Sequence, residues 1–521
     1  MTGVPLLSLL TCVPLLGALG VAFVPARRSV LARRLGFLSS LVSLALAAVL
    51  WVQFEADTAG MQFVEQHDWI PALKAQYHVG VDGLGLLMVL LTALIVPFAL
   101  VATLRITAHV KTLVALFLAL QAGLFGTFTA LNFFHWFIFW ELGLIPMFFL
   151  IKIWGAEDRT YASFKFFIYT LAGSIGMLLT FAFLYLATGT FDLLQLREMA
   201  GTGELTTKIA TFVTDVNART GLHLTAHGFA AALFWGTFLG LAIKVPIWPF
   251  HTWLPDAHTQ APTGGSMVLA AILLKMGVYG FLRIVLPIFP QQVTDNIEIL
   301  MALAVASIVL GAFAALAQTD FKRLVAYSSV NHMGYAMLGI FATAAVAGPD
   351  AFNDKAAALN GAMLQMFNHG ISSAALFFMV GCIYERTHTR NLADYGGLRK
   401  IMPIYAGILG ISMFSSLGLP GLNGFVGEFM IFKGVFPISV FWASLSTIGL
   451  VVTGVFLLSM MQKVCFEGLN PKWKDLSDLT GREIFIGACL MFFMFWLGIY
   501  PAPLIHATNT AVVGLINLFG K

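Results

Sequence analysis

Long apolar runs, separated by short polar or glycine- and proline-bearing connections, make up most of this chain. A helix needs about 20 mainly apolar residues to cross a bilayer. On that measure fourteen stretches qualify: 4–24, 30–53, 81–104, 112–130, 132–154, 161–188, 226–247, 262–286, 296–317, 323–346, 357–384, 403–434, 436–465 and 484–516. Several are too long for a straight crossing and should be tilted, kinked or broken. The first, within Met1 to Val24, looks superficially like a signal peptide. It lacks a basic start and a small-residue cleavage site, and more spans follow, so it reads as a retained helix. The expected fold is an all-α polytopic membrane protein of about fourteen transmembrane helices. The one long polar connection, 189–225, carries mixed charges and Gly/Thr punctuation, which predicts a lateral loop with a short surface helix.

Composition sharpens the class. Of 521 residues, 59% are hydrophobic and only 10% charged, against roughly 25% charged in globular domains. That excludes a soluble enzyme, a disordered chain and a nucleic-acid binder. The net charge of +4 needs no acidic partner, because membrane proteins gather Lys and Arg on one side. Successive loops placed on alternate sides put eighteen basic residues, from Arg27 to Arg482, on one side. Eight, among them Lys74, Arg283 and Lys521, fall on the other. The positive-inside rule then makes the first side cytoplasmic and puts both termini outside. Cys12, Cys382, Cys465 and Cys489 stand singly in apolar stretches. They predict packing residues rather than an iron–sulfur cluster, a structural zinc or a disulfide framework.

Four ionisable residues remain inside apolar segments: Glu141, Lys244, Lys275 and Glu428. A charge at mid-bilayer costs about 2.5–3.5 kcal/mol on insertion scales, so such groups face protein or water and are functional candidates. The structural alternative is a buried ion pair that fixes helix register. Two spans are also broken near these charges. Span seven runs Lys244-Val-Pro-Ile-Trp-Pro-Phe-His251, where Pro246 and Pro249 remove donors and push the preceding residues out of the helical region. Span twelve carries Gly418, Pro420, Gly421, Gly424 and Gly427 just before Glu428. No strand precedes that glycine run, so it reads as a helix break and not as a phosphate loop. Broken helices at matching places mark an inverted-repeat transporter. Lys244 and Glu428 are 184 residues apart, and that shift carries span four onto span nine. The organisation expected is therefore an N-terminal three-helix segment (1–110), a five-helix repeat (111–286), a second, inverted five-helix repeat (287–466) and a C-terminal loop with the last helix (467–521).

His332 and His369, on spans ten and eleven, add a possible relay between Lys275 and Glu428, though a buried histidine also serves as a hydrogen-bonded core residue. His251, Asp256 and His258 suggest a metal site, but Pro255 breaks helical ligand spacing and no further ligand cluster follows. No metal is expected.

Three motifs carry a resemblance: Phe139-Trp-Glu-Leu-Gly-Leu-Ile-Pro-Met, Lys244-Val-Pro-Ile-Trp-Pro-Phe-His-Thr-Trp-Leu-Pro-Asp-Ala-His-Thr-Gln-Ala-Pro and Asp320-Phe-Lys-Arg-Leu-Val-Ala-Tyr-Ser-Ser-Val-Asn-His-Met-Gly. They resemble the antiporter-like membrane subunits of proton-pumping NADH:quinone oxidoreductase, respiratory complex I, over nearly the whole chain. The resemblance implies that Glu141 pairs with Lys244, the central pump lysine, and that Lys275 is the next station. His332 and His369 would carry the proton to Glu428 near the outer exit, with His251 a possible further member. Sister chains have lysine at the last station, so Glu428 points to one branch of the family. It also implies no cofactor in this chain, with NADH, FMN, iron–sulfur clusters and quinone held by other subunits. The implied partners are the other membrane subunits, especially the sister antiporter-like chains on either side, and the setting is a bacterial cytoplasmic membrane. The alternatives are an Mrp-type sodium/proton antiporter subunit, a membrane-bound hydrogenase subunit, or a structural spacer with vestigial charges.

Overall fold

Apolar runs of this length satisfy their backbone groups internally as helices, the arrangement a bilayer demands. The computed structural model describes residues 4–73, 75–346, 348 and 351–519, so Lys74 and Lys521 lie outside the described residues. Among these, thirteen helices are long and apolar enough to cross a membrane. In chain order the helices begin with α1 (Leu6–Phe23), α2 (Ser29–Gln53), α3 (Gly83–Ala102), α4 (Val110–Thr129), α5 (Phe133–Trp154) and α6 (Arg159–Thr188). The connection after α6 forms two helices, α7 (Leu193–Thr202) and α8 (Glu204–Thr220), joined at Gly203 with φ +81°. Then follow α9 (Ala226–Lys244), α10 (Trp253–Gln260), α11 (Thr263–Ile288), α12 (Pro290–Asp295), α13 (Ile297–Leu316), α14 (Phe321–Ala342) and α15 (Phe352–Thr387). The series closes with α16 (Pro403–Leu417), α17 (Asn423–Ile438), α18 (Val440–Phe466), α19 (Gly481–Ile499) and α20 (Ala502–Ile516).

The helical membrane fold carries one addition, an antiparallel hairpin of β1 (Gln62–Ile70) and β2 (Ala75–Val81) between α2 and α3, and one expected span needs correction. β1 is largely exposed and β2 mostly buried, and apolar–polar alternation is loose in both. The last expected span, 484–516, is two helices, because Pro501 drives Tyr500 out of the helical region (φ −135°, ψ 73°). Helix α20 then lies along one end of the bundle. Its contacts over two turns are all at that end: His506 to Asp57 at 3.1 Å, Thr508 to Asn360 at 3.1 Å and the Arg197 guanidinium to the Gly514 carbonyl at 3.3 Å.

These contacts define a hairpin face. Leu7 N–H on α1 donates to Glu65 on the hairpin (2.9 Å), and His78 on β2 meets Asp192 before α7 (2.6 Å). The opposite end is the basic face. There Arg105 binds Glu385 (3.1 Å) and Glu483 (3.3 Å), Arg386 binds Glu483 (2.6 Å) and Arg390 binds Asp320 (3.2 Å).

Close backbone approach tightens the bundle. Gly173 and Gly176 of α6 face Gly240 and Gly236 of α9, and a Cβ at Gly240 would stand 2.7 Å from the Gly173 carbonyl oxygen. Small residues let membrane helices approach in this way. Helices α11, α14 and α15 are buried over almost their whole circumference, as all-round apolar helices should be. The charged residues of the interior sit on or beside them.

Candidate functional site

The two helix breaks run in opposite directions. Helix α9 starts beyond the α7–α8 connection on the hairpin side, and α10 ends at the basic face, where Lys322 donates to the Ala261 carbonyl. Helix α16 starts at the basic face, with Asp478 accepting from Ile404 N–H (2.8 Å), while α17 ends beside the start of α15. In the first break Trp253 Nε1 donates to the Ile243 carbonyl (2.8 Å) and Ser307 Oγ accepts from Trp248 N–H (2.9 Å). In the second, Gly418 and Gly421 adopt φ +83° and +92°, conformations that glycine takes without strain. A Cβ at Gly424 would collide with the Ser415 carbonyl, so the two half-helices meet through glycine. Asn368 on α15 bridges the break, donating to the Asn423 carbonyl at 2.6 Å.

Lys244 is the last residue of α9 and is 1% exposed. Its ammonium lies over the rings of Trp140 (5.1 Å) and Phe166 (5.9 Å), and it has no hydrogen-bond partner. The expected Glu141–Lys244 ion pair is not formed: no contact between them falls within 4.0 Å, and Glu141 Oε1 is buried without a partner. Trp140, held by Ser174 Oγ at 3.0 Å, takes the place beside the ammonium.

Lys275 is enclosed completely. It stands in α11 just after a π-helical turn over Leu269–Leu273, a local widening common at functional sites. Its Nζ donates to the Ala270 carbonyl (2.6 Å) and lies 2.6 Å from His369 Nδ1 on α15. The ring of His369 is 5.5 Å from that of His332 on α14. His332 Nδ1 lies 2.9 Å from Glu428 Oε1, which also accepts from Gln365 Nε2 at 3.0 Å. The structure thus brings Lys275, His369, His332 and Glu428 into one buried line. Both histidine Nε2 atoms are free of protein partners, and the two rings share a small pocket with Gln365, Glu428 and the serines of the α16 terminus.

His251 is not joined to this line. Its ring stands 6.1 Å from Tyr327 and its Nδ1 has no partner. Asp256 is taken by Lys165 (2.7 Å) and Arg323 (3.5 Å), and among the described residues no three candidate ligands converge as a metal site would need. Sequence reasoning missed Gln365, although it lies four residues before His369 and so on the same face of α15. It weighed His258 only as a metal ligand, whereas the ring is stacked on Phe377 at 4.4 Å with neither ring nitrogen bonded, and it missed the buried Asp82–Arg283 pair (2.6 Å).

Broken antiparallel helices around buried lysines, histidines and a glutamate define an antiporter-like ion-translocating membrane subunit. The chain belongs to the NADH:quinone oxidoreductase/Mrp antiporter transmembrane family, whose model matches residues 130–456. It is 39% identical over 517 residues to NADH-quinone oxidoreductase subunit M of Rhodobacter capsulatus, covering 98% of this chain and 96% of that one. It is 34% identical to NADH-ubiquinone oxidoreductase chain 4 of Arabidopsis thaliana, covering 98% and 97%. Among solved structures, a chain of respiratory complex I from Thermus thermophilus superposes with a TM-score of 0.84 at 28% identity, covering 99% of this chain and 100% of that chain. A chain of the Mrp complex from Dietzia shares the fold, with a TM-score of 0.81 at 21% identity and 99% coverage of both.

Proposed function

We infer that this chain is the proton-translocating membrane subunit of NADH:quinone oxidoreductase, respiratory complex I, counterpart of subunit M and chain 4. The observation that carries this reading is the buried line in which Lys275 contacts His369, the His369 and His332 rings stand 5.5 Å apart and His332 contacts Glu428, set against a helix break beside Lys244 and another beside Glu428. Quinone reduction elsewhere in the complex supplies the free energy. NADH, FMN, the iron–sulfur clusters and quinone belong to other subunits, and this chain does no redox chemistry.

Lys244 is the switch in this reading. Lysine releases its proton where arginine does not, and moving a charge near a buried amine changes its hold on that proton. Glu141, unbonded and free to be repositioned, is the charge that acts on it. Lys275 receives the proton, His369 and His332 pass it on, and Glu428 discharges it towards the hairpin face. Residues 111–286 and 287–466 act as two inverted repeats, each with one break. The basic face is cytoplasmic by the positive-inside rule, in a bacterial inner membrane, with sister antiporter-like chains on either side.

Lys244→Met tests the reading. In the assembled complex it should abolish proton pumping and strongly lower quinone-linked NADH oxidation. Full activity in that variant would refute the role. The shared fold of the Mrp complex makes sodium/proton exchange the second reading. Pumping that persists without sodium separates the two.

A further inference from the structure

Lys275, Tyr279 and Arg283 are spaced by four along α11 and therefore share one face of it. From Lys275 that face runs towards the hairpin side as a chain of polar groups the relay does not use. Tyr279 Oη donates to the Phe128 carbonyl (2.9 Å) and accepts from Arg283 Nε (3.1 Å). Arg283 Nη2 donates to Asp82 Oδ1 at 2.6 Å. The same oxygen accepts the Leu84 and Gly85 N–H groups at the start of α3, both at 3.1 Å. Arg283 and Asp82 are 6% and 8% exposed. Immediately beyond them opens a cavity of about 170 Å³, lined by both residues, by Arg197 and by apolar side chains of the α2 end and α20. That volume has room for several waters.

A proton leaving Lys275 along this side of α11 for the hairpin face would leave the relay idle, and it would have to pass these two residues. Water and a titratable group placed there would conduct protons. The chain instead sets an arginine at that point, and a guanidinium does not give up its proton. A fixed cation in a narrow, poorly polarisable passage raises the barrier to a second cation, as channel arginines do. Asp82, itself pinned by two backbone donors, holds the guanidinium in place without offering a lone pair free to accept a proton at Oδ1.

We propose that the Arg283–Asp82 pair is an electrostatic stopper that seals Lys275 from the hairpin-face cavity and so directs its proton to His369. The proposal rests on the reading of Lys275 as a proton station.

The test uses the assembled complex in sealed vesicles without NADH, with a pH gradient imposed and passive proton entry read by a trapped pH dye. The double variant Arg283→Gln/Asp82→Asn removes both charges together and leaves no lone buried ion. It should raise the leak about tenfold, equivalent to about 1.4 kcal/mol off the barrier. Adding Lys275→Met should return the leak to the wild-type level, because the shortcut runs through that amine. A pair that serves only to anchor α3 would lower assembly or turnover and open no leak that depends on Lys275. Wild-type tightness in the double variant overturns the proposal, as does a raised leak that Lys275→Met leaves unchanged. Arg283→Lys keeps the charge and the Asp82 contact and guards against failed assembly. Because the fixed cation remains, this variant should leak far less than the double variant, and a leak as large as the double variant's would overturn the electrostatic stopper. Intact coupled pumping in a Lys275→Met variant would instead refute the station itself, a result separate from the leak.

Discussion

The surroundings of Lys244 and Lys275 differ in kind. Lys244 rests on two aromatic rings with no hydrogen bond, while Lys275 is clamped between a carbonyl and an imidazole. A cation over a ring is held by a diffuse attraction of about 0.5–2 kcal/mol. A hydrogen bond to a charged group, by contrast, contributes about 1.5–3 kcal/mol with strict geometry. The first site is suited to being switched from a distance by Glu141, the second to handing a proton directly to its neighbour.

Several substitutions would break or sharpen that contrast. After Lys244→Met, the largest effect belongs to Lys275→Met, which removes the entry to the buried line. Coupled turnover should fall on the order of a hundredfold, the lower end of what a positioned acid–base group contributes. Proton uptake in vesicles measures it, and near-normal uptake would mean the line is packing only. Glu428→Gln comes next, slowing pumping and quinone reduction together because a blocked exit prevents the upstream lysines from resetting. Glu428→Lys restores a titratable group and should recover more than glutamine does. Equal, near-normal rates in the two variants would remove Glu428 from the path.

Glu141→Gln should lower activity about tenfold and leave complex yield unchanged, because it acts through its field and forms no bond with Lys244. Glu141→Asp should retain part of the activity. A drop in yield with normal turnover per molecule would make Glu141 a structural clamp. The smallest change is expected from Gln365→Leu, which removes one donor to Glu428. A loss of a few-fold in rate, matching about 1 kcal/mol for one hydrogen bond, should appear in NADH oxidation. No change would show that His332 alone orients the carboxylate.

The interior charges were legible because an ionisable residue in a 20-residue apolar run has few innocent explanations. The breaks were legible for a similar reason, since Pro246, Pro249 and the glycines around Leu419 cannot continue a helix. What pairs with what was not. Lys275 and His369 meet across 94 residues of chain, a proximity set by how α11 packs on α15 and carried by no local pattern. The Glu141–Lys244 pair was implied by the family resemblance, yet Trp140, the adjacent residue, took the position beside the ammonium. The hairpin was missed because β1 is polar and largely exposed, and neither strand alternates cleanly. The bend at Tyr500 had a local signal in Pro501, masked by the apolar residues on either side.

The bond from the Lys275 ammonium to the Ala270 carbonyl has a further consequence, in vibrational spectroscopy. A carbonyl that accepts from a charged donor is polarised, and its stretch moves to lower frequency. When Lys275 gives up its proton the charge leaves that donor, and the Ala270 band should move back. Carbon-13 placed at this one carbonyl would lift its band clear of the rest of the amide envelope. The widened helical turn would then act as an infrared reporter of when, within one catalytic cycle, the buried lysine is charged.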